Sequence, residues 1–225
     1  MATLLMSRRK KRTLPNQSRI NNTKLLEATM HKFTVALDCD EVLNNLIEKT
    51  LELYNTRHDT ELTTEIFTQY DFYKCLPFEV AEELTSIFME KELWDSLSPA
   101  PDSQWGVKKL IDNGYDVYVA TATHYSNFAW KVDWFANNFP FIDQKHIICI
   151  QNKSLLHVDV LVDDCAENLM ATNYAVDRVL LDKPWNRNVH DDVYGIYRAN
   201  NWEEIVDYVN ELYKENQGLY LMEGC

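Results

Sequence analysis

Five short apolar runs, most of them separated by stretches with helical periodicity, leave this chain few folds to adopt. The runs are Phe33-Thr34-Val35-Ala36-Leu37, Asp116 to Ala120, Ile147 to Ile150, Val158 to Val162 and Arg178 to Leu181. They are too short for helices and rich in β-branched residues, so they read as buried parallel strands. Between them the spacing predicts helices from Val42 to about Asn55, from Asp102 or Ser103 to Ile111, from Ser126 to about Asn138, over 166–173, and from Trp202 to Lys214. Strands alternating with helices mean an α/β fold: a three-layer sandwich around a central parallel sheet. At 225 residues, 46% of them apolar, the chain holds one domain with room for a modest insertion.

That insertion falls at residues 46–98, which carry no strand-like run. They hold polar turns, the aromatics Phe67, Tyr70, Phe72 and Tyr73, and a helical pattern from Phe78 to Lys91. An insertion placed directly after the first strand would hang over the strand ends as a cap, leaving 33–45 and 99–225 as the α/β core. Ahead of the core, residues 1–32 carry eight Lys/Arg against one Glu, so the remaining residues hold a net charge of −20 within the overall −13. A body that acidic repels nucleic-acid backbones and suits a small anion complexed with a metal. The basic tail 1–32 has the composition of a disordered segment and is the one place where nucleic acid could bind. No apolar run is long enough to span a membrane, and the start lacks the pattern of a secretory signal. Five widely spaced cysteines, an odd number, suit reduced thiols in a cytoplasmic setting.

The first run leads straight into Asp38-Cys39-Asp40. Alternation along an extended chain puts both aspartates on one side. Two carboxylates that close need a cation or a shared proton. Two further strands end in polar groups, at Thr121 and at Asp163-Asp164, and Lys153 stands ten residues before Asp163. Parallel strands present all these ends on one edge, where ligands bind in open α/β sheets. Carboxylates suit Mg²⁺ shared with a phosphate, and a Thr hydroxyl and a Lys ammonium would hold the remaining phosphoryl oxygens. One aspartate could attack phosphorus while a second moves the proton. Thr123 is the alternative to Thr121, and Lys131, mid-helix and otherwise a solvated residue, the alternative to Lys153.

The order of these motifs resembles the haloacid-dehalogenase-like (HAD) phosphohydrolases over residues 33–185. Within them the chain looks most similar to the 5′(3′)-deoxyribonucleotidases of cytosolic type C. The residues that carry this are Leu37-Asp-Cys-Asp-Glu-Val-Leu-Asn44 with the insertion after it, Val119-Ala-Thr121, Leu161-Val-Asp-Asp164 followed by Glu167-Asn168, and Leu181-Asp-Lys-Pro-Trp-Asn186. The resemblance implies a HAD-like Rossmannoid fold with a helical cap. It implies a Mg²⁺-dependent phosphatase of (deoxy)nucleoside monophosphates acting through an aspartyl-phosphate, with Asp38 as nucleophile and Asp40 as general acid/base whose backbone carbonyl also reaches the metal. Thr121 and Lys153 would bind phosphate. Asp164 would ligate Mg²⁺, with Asp163 beside it as ligand or support, and Leu46 and Ala122 would fall in the substrate pocket.

Two residues depart from the family pattern. Glu41 stands where most relatives have glycine, which a tight turn after the acids would favour. Ala122 stands where many have a hydroxyl residue. Other readings stay open at this level: a phosphatase of sugar phosphates, or a non-catalytic phosphate and Mg²⁺ module. A signalling receiver domain is disfavoured, since its paired acids would follow the first strand and its phosphorylated Asp a later one. Trp185-Asn186-Arg187 reads equally as a substrate loop or a plain turn.

Overall fold

The computed structural model describes residues 32–172 and 176–223. The basic tail, apart from Lys32, lies outside the described residues, and so does the expectation attached to it. In chain order the elements are β1 (Thr34–Leu37), α1 (Leu46–His58), α2 (Phe78–Ile87), α3 (Lys91–Ser96), α4 (Ser103–Asp112), β2 (Asp116–Thr121), α5 (Phe128–Asn138), β3 (Ile147–Cys149), β4 (Val160–Asp163), α6 (Ala166–Ala171), β5 (Asp177–Leu181), α7 (Asp191–Tyr194), β6 (Ile196–Ala199) and α8 (Trp202–Glu223). The six strands form one parallel sheet in the order β3-β2-β1-β4-β5-β6.

The period of two along the strands divides the apolar residues between two cores. Val35 and Leu37 of β1, Val117 and Val119 of β2, Val160 and Val162 of β4, and Val179 and Leu181 of β5 face the larger one. There they meet Val107 and Leu110 of α4 and Trp202, Ile205, Val206 and Val209 of α8. Ala36, Ala120, Leu161 and Leu180 face the opposite side, against Ala166 and Leu169 of α6. A sheet covered on both faces is the three-layer α/β sandwich that the periodicity predicts. Small alanines on the second face let α6 lie close to the sheet.

The structure corrects the local reading in four places. β6 was not among the expected strands: it is an edge strand in which only Ile196 and Ala199 are buried, so Tyr197 and Arg198 break the apolar pattern. The first helix begins at Leu46, not Val42, because residues 40–43 form a turn, with the Leu43 and Asn44 N–H groups on the Cys39 carbonyl, and Asn44 is held in a bridge to Pro99. The helix expected over 78–91 is two helices. Its break frees the carbonyl of Phe88, which accepts from Trp94 Nε1 and Asn127 Nδ2, both at 2.9 Å. The fifth helix starts at Phe128, since Ser126 turns its hydroxyl to His124 Nδ1 and Asn127 Oδ1 and leaves the first turn uncapped.

Residues 46–98 contain helices and single 3₁₀ turns only. Their two ends are stitched together at a narrow neck: Asn44 pairs with Pro99 in an antiparallel bridge, Ala100 N–H donates to the Leu43 carbonyl at 2.8 Å, and Ser98 N–H to Asn45 Oδ1 at 2.9 Å. Among the described residues no helix is long and apolar enough to cross a membrane.

Helices α4 and α8 approach each other closely at Gly106. A Cβ built on Gly106 would lie 2.2 Å from Cε3 of the Trp202 ring, which is buried and bonded to the Val42 carbonyl. Gly106→Ala is therefore expected to lower stability by about 2 kcal/mol or more through overpacking, despite alanine's better helix propensity. Urea unfolding tests this, and an unchanged or higher midpoint would contradict it.

Candidate active site

Register places three strand ends side by side. Leu37 of β1 lies between Val119 of β2 and Val162 of β4, and the N–H of Asp38 continues the ladder to the Val162 carbonyl at 2.9 Å. The chain works outward from β1 to β3, then returns to the other side of β1 with β4, so a topological switch point falls between β1 and β4. Asp38 leaves one of these strands and Asp163-Asp164 ends the other.

Carboxylate oxygens of Asp38, Asp163 and Asp164, all buried, lie within 4.8 Å of one another. Lys153, itself buried, spans two of them, donating to Asp38 Oδ1 and Asp163 Oδ2 at 2.5 Å each. Asp163 is saturated: its Oδ1 accepts the N–H of Cys165 at 2.8 Å, and Asn168 Nδ2 reaches both its oxygens. Asp164 accepts the indole N–H of Trp185 on Oδ2 at 2.8 Å. Among the described residues nothing donates to Oδ2 of Asp38 or to Oδ1 of Asp164.

Asp40 points elsewhere. Its Oδ2 accepts from Lys131 Nζ at 2.6 Å and its Oδ1 from Asn44 Nδ2 at 3.1 Å. Lys131 also donates to the hydroxyl of Thr121, again at 2.6 Å. Lys131 is wholly buried, against its reading as a solvated residue. Burial pulls its pKa down, yet Asp40, Cys39 and Asp38 together hold it above the usual lysine value. Its place on the face of α5 that also buries Trp134 and Phe135 was a signal available in the sequence, since a lysine on an apolar helix face needs a charged partner.

Glu41 occupies the left-handed region and is buried. Its Oε1 accepts the N–H of Ile47 at 2.6 Å, and its Oε2 faces Lys183 Nζ at 3.4 Å. Asn44 Oδ1 accepts the N–H groups of Glu41 and Leu46. Glu41 and Asn44 thus cap the first turn of α1, whose N-cap residue Asn45 makes no such bond.

Above this floor opens a cavity of about 640 Å³, lined by the charged residues Asp38, Asp40, Glu41, Lys153 and Asp164 and by apolar side chains from both the core and 46–98. Leu46 and Ala122 lie on its wall, as do Ile47, Phe72, Phe88, Trp94, Thr123 and His124. Thr121 and Asp163 are buried behind it, so Thr121 meets the site through Lys131. Phe67 belongs to the core.

Asp38, Asp40, Glu41, Asp163 and Asp164 bring five carboxylates against the three ammonium groups of Lys131, Lys153 and Lys183, a surplus of two negative charges. The imbalance is felt by the acids. Burial, with Asp163 and Asp38 adding to it, drives Asp164 well above the usual carboxylate range. Burial outweighs Lys153 and pushes Asp38 up to about 6. An all-oxygen donor set with this surplus fits a divalent cation.

Comparison with solved structures shows the fold to be that of the HAD-like hydrolases. A HAD family hydrolase from Deinococcus radiodurans R1, with bound phosphate and sodium, superimposes with a TM-score of 0.55 at 16% identity, covering 80% of this chain and 96% of that one. A haloacid dehalogenase-like hydrolase from Streptococcus pneumoniae gives 0.55 at 12% identity, covering 79% and 98%. Residues 32–214 match the family described as 5′ nucleotidase, deoxy (Pyrimidine), cytosolic type C, and the chain belongs to that family. It is 29% identical over 175 residues to the 5′(3′)-deoxyribonucleotidase of Clostridium acetobutylicum, covering 78% of this chain and 93% of the relative. It is 28% identical to that of Bacillus subtilis strain 168, covering 77% and 96%. The chain is a phosphatase.

The raised pKa of Asp38 sets a sign for stability without a cation. The folded state holds its proton up to about pH 6, whereas the unfolded chain releases it near 3.8, so the contribution is fully present below about pH 4 and is lost as pH rises through 6. Asp38→Asn, which is permanently neutral, should therefore gain in melting temperature relative to the parent between pH 4.5 and 7.5 in the presence of a chelator. A difference that stays flat, or falls, with pH would contradict this.

Proposed function

We propose that the chain is a Mg²⁺-dependent phosphomonoesterase that hydrolyses (deoxy)nucleoside monophosphates through an aspartyl-phosphate. The observation that carries this is the pairing of a carboxylate-and-lysine floor with a largely apolar cavity of about 640 Å³, large enough for a nucleoside beside its phosphate. The names of the relatives, 5′(3′)-deoxyribonucleotidases, support the same substrate class. Lys153 is the lysine on the cavity wall, which suits one phosphate rather than a chain of them.

Asp38 is the nucleophile. Lys153 fixes its Oδ1 and leaves Oδ2 to form the bond to phosphorus as the bond to the sugar oxygen breaks. Asp40, on the other side of the turn, gives its proton to the departing oxygen. It then takes one from the water that attacks phosphorus, which releases phosphate and restores Asp38. Lys131 and Asn44 hold Asp40 in place for both steps. Asp164 would hold Mg²⁺ through its open Oδ1, with Asp38 and the Asp40 carbonyl as the family resemblance implies, while Asp163 orients Lys153. When bound, the metal supplies positive charge to the phosphoryl oxygens. The segment 46–98 acts as the cap, its Leu46, Ile47, Phe72, Phe88 and Trp94 excluding water and meeting the base and sugar. We place the enzyme in the cytoplasm, in keeping with free thiols at Cys39, Cys75, Cys149 and Cys165.

The parent chain should release phosphate from deoxynucleoside monophosphates in Mg²⁺ and lose this activity in chelator. Asp38→Asn should lower kcat by about 10³-fold or more. Full activity of that variant would rule out the covalent route, and a preference for sugar phosphates in the same screen would rule out the substrate class. Lys131→Met keeps the volume but frees Asp40. It is expected to lower kcat roughly 10²-fold with little change in KM, and an unchanged kcat would remove Lys131 from the site.

A further inference from the structure

The loop after β5, Asp182 to Arg187, lies outside the reaction as drawn, yet it grips the acidic cluster from one side. Trp185 is buried, and its indole N–H donates to Asp164 Oδ2 at 2.8 Å. Asn186 is buried beside it, and its Nδ2 donates to the backbone carbonyls of Asp164 at 2.9 Å and Leu181 at 2.8 Å. The loop is itself held from β6. Arg198 donates to Asn186 Oδ1 at 2.7 Å and to the Asn186 carbonyl at 3.0 Å, and pairs with Asp182 and Asp191.

A buried indole N–H needs an acceptor, and a backbone carbonyl is usually enough. In this chain Trp94 uses the carbonyl of Phe88, Trp134 that of Leu97 and Trp202 that of Val42. Trp185 alone among these four ends on a carboxylate, and that carboxylate belongs to the three-aspartate cluster. One oxygen of Asp164 is thereby fixed to the protein and the other left open. A ligand carboxylate oriented by a neutral donor keeps its full charge for the cation, and the fixed rotamer spares the metal the task of ordering it.

We infer that Trp185 is a positioning residue for the metal: its indole N–H, braced by Asn186 and Arg198, holds Asp164 in the rotamer that receives a divalent cation. The inference rests on the Mg²⁺ reading above. It extends that reading to a residue on the loop after β5 that hydrogen-bonds to neither the nucleophile nor the general acid.

The test is calorimetric titration of the protein with MgCl₂ alone, for the parent, Trp185→Phe and Trp134→Phe. The two tryptophans are matched: each is buried and each gives one indole bond, but Trp134 gives it to a backbone carbonyl away from the cluster. Trp185→Phe should raise the Mg²⁺ dissociation constant about 10-fold or more, while Trp134→Phe leaves it within a factor of two even where it lowers the melting temperature as much. In turnover, Trp185→Phe should raise the Mg²⁺ concentration for half-activity by the same factor. Should Trp185→Phe fail to fold, benzothienylalanine at 185 keeps the ring shape and removes only the N–H. Parent-like Mg²⁺ affinity in either variant overturns the inference, as does equal weakening in Trp134→Phe. A parent that takes up no Mg²⁺ overturns the metal reading first and this inference with it.

Discussion

Repulsion among carboxylates is the constraint around which this site is built. Oxygens of Asp38, Asp163 and Asp164 sit within 4.8 Å of one another in the protein interior. At an effective dielectric constant of about 20, each pair of charges about 5 Å apart repels by roughly 3 kcal/mol. Three such pairs approach the whole net stability of a domain. Lys153 offsets two of them at once, and in return the acids keep a desolvated lysine charged. Lys131 repeats the arrangement on the other side of the Asp38-Cys39-Asp40 turn, where Asp40 and Thr121 meet its ammonium. Two buried lysines are thus a structural requirement of the acid cluster before they are anything to a substrate. Because three ammonium groups face five carboxylates, the site suits the charge of a divalent cation.

Glu41 shows how such a site can be held without glycine. A non-glycine residue in the left-handed region costs about 1 to 2 kcal/mol. Glycine at 41 would remove that cost, but it would also leave the Ile47 N–H, an orphan donor at the start of α1, without its acceptor. The carboxylate satisfies the donor, lies at the positive end of a helix dipole, and meets Lys183 from the β5–β6 side. The strain is therefore balanced locally. One residue ties the turn carrying Asp40 to the first helix of the segment above it and to the loop that grips Asp164.

What could be read from the sequence follows from range. The strands were legible because burial on both sheet faces writes an apolar run into consecutive residues, and the acids were legible because parallel strands put their ends on one edge. Interactions that depend on residues far apart in the chain were not. The apolar helix face that Lys131 shares with Trp134 and Phe135 marks it as needing a charged partner, but nothing near it announces that the partner is Asp40, ninety-one residues earlier. Trp185 reads equally as part of a substrate loop or of a plain turn, because its partner lies at the end of the neighbouring strand β4. β6 escaped because an edge strand needs only two buried side chains and uses Arg198 to brace a loop instead of filling a core. Glu41 was noticed as a departure, but only the positive φ and the bond to Ile47 explain how it is tolerated.

The same division between fixed and free parts bears on what the cavity can select. Its floor and near wall are rigid: Leu46 and Ile47 stand on the turn of α1 that Glu41 and Asn44 cap, and Trp94 is pinned through its indole to the Phe88 carbonyl. These side chains are buried, so a ligand must match their shape or displace packed core. Other parts of the wall are different. Tyr73 and Met89 also line the cavity but are about half exposed and can change rotamer without disturbing the core. Selection therefore acts where a ligand meets the packed wall, and tolerance where it meets these exposed side chains.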